Sequence, residues 1–91
     1  MERRHEDQLY TRLDQLYLNG IAFITWDELR LWYQMDRLSK TPFRDLKNRW
    51  HELLESKRED AIDPQVASLD RGMAMFFVRD PKRVVKLSTW C

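Results

Sequence analysis

The sequence predicts a small α+β domain with three helices, a short strand between the first two, and a C-terminal β-hairpin. Three observations carry this. Three stretches repeat apolar side chains at helical spacing, each bounded by helix start or stop signals. Ile21–Ile24, Met73–Val78 and Val84–Trp90 are short apolar or β-rich runs, the last two separated by a polar turn. Finally, 91 residues that are 43% hydrophobic, with only two Gly and three Pro, suit one folded domain and exclude disorder and collagen.

The first helix is expected over about residues 5–18. Leu9, Leu13 and Leu16 form its apolar stripe, with Tyr10 and Tyr17 alongside. Glu6 and Asp7 lie near its start, where the helix dipole favours acids, and Asn19-Gly20 ends it. Ile21–Ile24 then reads as a short buried strand. Thr25 and Glu28 have the spacing of a capping box, so a second helix is expected over 26–35, burying Leu29, Trp32 and Tyr33.

Leu38 anchors a short polar turn, after which Thr41 as cap and Pro42 at the first helical position open a third helix over 42–56. Phe43, Leu46, Trp50, Leu53 and Leu54 make its core stripe. Arg44, Lys47, Asn48 and His51 share the opposite, exposed face. Residues 57–70 are polar and acidic and read as a link with one short helical turn near Asp63-Pro64. The hairpin is expected over about 72–90, with its tip at Arg79-Asp80-Pro81-Lys82-Arg83. Met73, Met75 and Phe77 form one packed face of its first strand.

Net charge is +1, but charge is segregated along the chain. Residues 1–36 carry −3, residues 37–58 carry +4, residues 59–70 carry −4 and residues 71–86 carry +4. A polyanion responds to a local block rather than to the total, so two basic blocks suggest an anionic partner. The single Cys, Cys91, excludes an intramolecular disulfide. The charged start is unlike a secretory signal, and no apolar run approaches membrane-spanning length; a cytoplasmic protein without membrane contact is expected. His5, His51 and Cys91 lack metal-ligand spacing, there is no Gly-rich phosphate loop, and the carboxylates sit in polar surroundings. No enzymatic activity and no cofactor are expected.

The element order, together with Leu38-Ser39-Lys40-Thr41-Pro42-Phe43-Arg44-Asp45-Leu46-Lys47, resembles the winged helix-turn-helix family over nearly the whole chain. The resemblance implies that the third helix docks in a DNA major groove while the hairpin wing touches the flanking backbone. Carried across, the contacts are Lys40, Thr41, Arg44, Lys47 and Asn48 on the helix, and Arg79, Lys82 and Arg83 on the wing. Arg44 and Asn48 suit base edges, whereas Lys40, Lys47, Lys82 and Arg83 suit phosphates. The long acidic stretch 57–70 departs from the family's short connection between third helix and wing.

The expected function is therefore a small regulator of transcription that binds double-stranded DNA, of bacterial, archaeal or mobile-element type. A homodimer formed through Tyr10, Tyr17 and Leu18 would read a palindromic site. A domain this small is expected to leave no room for an effector pocket. The alternative is a virus- or plasmid-encoded inhibitor that binds a host protein through grouped carboxylates in Glu59–Asp70, in imitation of phosphates.

Overall fold

In a computed structural model that describes residues 1–79, the first apolar stripe forms α1 (Arg3–Asn19). Leu9, Leu13 and Leu16 are buried, and His5, one turn earlier, is buried with them at 4% exposure. The helix stops at Gly20, whose φ of 80° is left-handed and whose N–H donates to the Leu16 carbonyl.

The next strand, β1 (Ile21–Thr25), alternates as a half-buried strand must. Ala22 and Ile24 face the core, while Ile21 and Phe23 face water. Thr25 and Glu28 then form the complete capping box that opens α2 (Trp26–Tyr33). Leu29 and Trp32 are its buried residues, and the Trp32 indole N–H donates to Gln8 Oε1 at 2.9 Å. The helix ends two residues earlier than expected because Gln34 takes a left-handed φ of 52° and returns its N–H to the last carbonyls.

The third helix, α3 (Lys40–Ser56), starts two residues earlier than expected. Ser39, not Thr41, is the cap: its hydroxyl accepts from the Thr41 N–H. Pro42 is accommodated because the first four N–H groups of a helix have no intrahelical partner anyway, and its ring is buried. Leu46, Trp50 and Leu54 bury the inner stripe, whereas Phe43 stays 39% exposed at its rim.

The hairpin is a correction. It joins β2 (Gln65–Ser68) to β3 (Gly72–Phe76), with the register running from Gln65↔Phe76 to Ser68↔Met73. Its turn is Leu69-Asp70-Arg71, so the tip precedes residue 72 rather than following residue 78. β3 also pairs with β1, from Ile21↔Phe76 to Thr25↔Gly72, giving an antiparallel sheet of order β1-β3-β2. β3 is thus the central strand, and the return strand expected at 84–90 lies outside the described residues. Gly72 is required at this junction, since a Cβ there would run into the Ile24 carbonyl and lie 2.7 Å from the Thr25 Cα.

Ala22, Ile24, Met73, Met75 and Phe77 face the helices and close one core with the stripes of α1, α2 and α3. Trp50 packs edge-on against Phe77, with ring centroids 5.0 Å apart. On the open side of β1, Arg12 of α1 donates to the Phe23 carbonyl and grips Glu28 through both carboxylate oxygens, at 2.9 and 2.6 Å. Glu28 in turn accepts from the Thr25 N–H. This clamp satisfies two backbone groups that an edge strand would otherwise leave exposed.

Candidate nucleic-acid interface

Helical spacing places Lys40, Thr41, Arg44, Lys47 and Asn48 on one outer face of α3, and all five are exposed. Among the described residues, Lys40 and Arg44 make no ion pair. Lys47 has one loose partner, Asp63, with Nζ 3.7 Å from the carboxylate. The same carboxylate lies 2.5 Å from His51 Nε2, one turn further along α3. That hydrogen bond, with help from the Lys47 charge, holds the Asp63 carboxyl below its ordinary range. The acidic stretch therefore folds back onto the basic face instead of leaving it.

Two indoles fix that return path. Trp50 Nε1 donates to the Ile62 carbonyl at 2.9 Å, just before β2, and Trp26 Nε1 donates to the Leu69 carbonyl at 3.0 Å, just after it. Trp26 also meets Phe43 edge-on, with centroids 6.5 Å apart. Trp26 thus links the hairpin turn at Leu69 to Phe43 in the first turn of α3.

Of the expected wing residues, Arg79 is the one described, and it does not lie at the hairpin tip. Arg79 follows β3, donates to both carboxylate oxygens of Glu59 at 2.9 and 2.7 Å, and lies over the Phe77 ring. Glu59 also accepts from the Tyr17 hydroxyl at 2.9 Å. The Arg79 and Tyr17 hydrogen bonds depress the Glu59 carboxyl, and the Glu59 bond raises the Tyr17 phenol. Lys82 and Arg83 lie outside the described residues. The cation at the tip is Arg71, which is exposed. Its sequence signal is weak, a single Arg next to a Gly at the end of an acidic run.

Other expectations shift in the same way. Arg49 belongs to the basic block in sequence, yet it turns inward to Asp45 at 2.8 Å, Glu6 at 3.4 Å and the Tyr10 hydroxyl at 3.2 Å. Asp45 also accepts from the Tyr33 hydroxyl at 2.6 Å; burial and that bond raise the Tyr33 phenol. Tyr10 and Tyr17 are thus engaged within the fold, leaving Leu18, 77% exposed, as the open member of the expected dimer surface. Among the described residues, no three His, Cys, Asp or Glu side chains converge as metal ligands, and no helix is long and apolar enough to cross a membrane.

A groove of about 470 Å³ opens between α3 and the β2–β3 hairpin. Room for a small molecule therefore exists, against the expectation from chain length. Comparison with known protein families, with characterised proteins and with solved structures finds no match for this chain.

Proposed function

We propose that this protein is a duplex DNA-binding module of winged helix-turn-helix type acting in transcription regulation. In this reading α3 docks in the major groove and the β2–β3 hairpin lies on the flanking backbone. The carrying observation is the exposed face of Lys40, Thr41, Arg44, Lys47 and Asn48, with Arg71 exposed in the turn of the hairpin that follows α3. The element order and the hairpin placed after α3 support the same reading. Arg44 and Asn48 have the chemistry to read guanine and adenine edges, while Lys40, Lys47 and Arg71 position the duplex through phosphates.

Neutralisation of carboxylates within the fold weighs against the acidic-inhibitor alternative. Glu59 is taken by Arg79 and Tyr17, and Asp63 by His51 and Lys47, so the segment does not present a continuous phosphate-like array.

Titration of random-sequence duplex DNA across a salt series tests the proposal. Three phosphate contacts give a slope of log affinity against log salt near −0.9 per contact, about −2.7. Lys40→Gln and Arg71→Gln should each make the slope shallower by about 0.9. Absence of binding at low salt would sink the reading and direct the search to a protein partner.

A further inference from the structure

We propose that the groove between α3 and the β2–β3 hairpin is a binding site for a hydrophobic monocarboxylate, with the Lys47 ammonium as its anion contact. Its volume of about 470 Å³ falls within the range of small-molecule sites. Phe43, Leu46 and Trp50 of α3 form one wall, Val66 of β2 the other, and Met73 and Met75 the floor. The Trp50 and Trp26 indole N–H groups are already given to backbone carbonyls, so these rings offer the groove apolar surface without an unmet donor. Phe43 and Val66 are 39% and 53% exposed, apolar surface at the mouth that a bound hydrocarbon body would remove from water. The Met thioethers on the floor adapt to the shape of that body.

Charge at the rim selects the head group. Asp63 is held closely by His51, at 2.5 Å, while Lys47 stands 3.7 Å from the carboxylate, beyond hydrogen-bonding distance. The Lys47 ammonium makes no hydrogen bond among the described residues, and it lines the groove. Asp63 lines the groove as well, and a single carboxylate replaces its loose pair with Lys47 by a shorter, charge-assisted hydrogen bond. A dianion would place its second charge against Asp63, and a cationic head would meet the Lys47 ammonium beside an Asp63 carboxylate already engaged by His51. An uncharged head forgoes the charge-assisted bond. The site stands independently of DNA binding, because it requires only the groove and its rim.

The test titrates octanoate, 1-octanol and octyltrimethylammonium into the full chain, read by calorimetry and by tryptophan fluorescence, since Trp26 and Trp50 line the groove. Octanoate should bind saturably at one site, about ten-fold or more tighter than either of the other two. Lys47→Met, which keeps an apolar stem on an exposed helix face, should reduce octanoate to the affinity of octanol or below it, because Asp63 stays at the rim. Val66→Trp, at an exposed position, should block octanoate and octanol alike while circular dichroism stays native. Equal binding of octanoate and octanol, unchanged octanoate binding in Lys47→Met, or no saturable binding of octanoate to the native chain would each overturn the proposal.

Discussion

If α3 meets DNA, Asp63 is a brake on that contact, and Asp63→Asn should release it. The carboxylate lies 3.7 Å from Lys47 Nζ. A phosphate taken by Lys47 would then stand about 6 to 7 Å from Asp63, where two like charges repel by about 0.6 kcal/mol in water. Screening at roughly 0.1 M salt removes about half of that. The exposed Lys47–Asp63 pair must also be broken, at about 0.5 kcal/mol within the usual range for such pairs. Together, about 0.8 kcal/mol corresponds to DNA binding about three- to five-fold tighter in the variant. The amide oxygen of the substituted side chain would still face His51, so the return path of the chain should persist. Fluorescence anisotropy with a labelled random duplex reads the change. Asp60→Asn, which alters net charge equally but removes no ion pair with α3, should change affinity by less than about two-fold. Unchanged or weaker binding in Asp63→Asn, with native circular dichroism, would refute the reasoning.

Glu28→Ala should destabilise the fold by about 2 to 3 kcal/mol, from a partly exposed two-point Arg12 pair and an orphaned Thr25 N–H, while the Thr25 hydroxyl still caps the helix. At about 4 to 8 °C per kcal/mol for a domain this size, thermal unfolding should fall by about 10 °C or more. The Arg12 hydrogen bond depresses the Glu28 carboxyl, and the His51 bond does the same for Asp63. Both contributions are present above the unfolded carboxyl pKa, about 4, and are lost as pH falls through the lower folded values; urea midpoints should therefore drop on acidification below about pH 4, and less steeply in Glu28→Gln. Gly72→Ala should cost about 1 to 3 kcal/mol by forcing β1 and β3 apart, measured by chemical denaturation. If both the groove and the DNA proposals hold, saturating octanoate should weaken DNA binding and make its salt slope shallower by up to about 0.9, because Lys47 cannot serve a carboxylate and a phosphate together; no change would separate the two sites.

Helices were the most legible part of the fold because their signals are local and redundant. The Leu9-Leu13-Leu16 stripe, the Asn19-Gly20 stop and the Thr25–Glu28 box each specify a boundary or a face without reference to distant residues, and each stands in the structure. Strand pairing is different, because it depends on partners that sequence does not rank. Met73–Val78 is strongly β-forming, and Val84–Trp90 lies a turn away, which favours a hairpin between them. The strand pairs instead with Gln65–Ser68, a run of only four residues with polar ends. That segment gains little from propensity and is held largely by its neighbours, through the indole hydrogen bonds of Trp50 and Trp26 and the Asp63–His51 contact at its approach. Tertiary context, rather than local preference, makes it a strand.

The candidate site was legible in composition but not in geometry. Block charges identify α3 as basic, yet they count Arg49 and Lys47 alike, although Arg49 is spent on Asp45 and Glu6 inside the fold. They also group Arg71 with Arg79, which differ most: one stands at the hairpin tip and the other is neutralised by Glu59. Sequence blocks add charges along a line, whereas a ligand meets charges across a surface after internal pairs have formed. On that surface α3 keeps Lys40 and Arg44 without ion-pair partners among the described residues, and shares Lys47 with Asp63. The acidic stretch that argued for a separate partner thus becomes part of the same site. It lowers the charge of the basic face at one position and, with the hairpin, encloses an apolar groove behind it. A basic face and an apolar groove that share Lys47 are a consequence of the chain returning over α3 between Lys57 and Asp70.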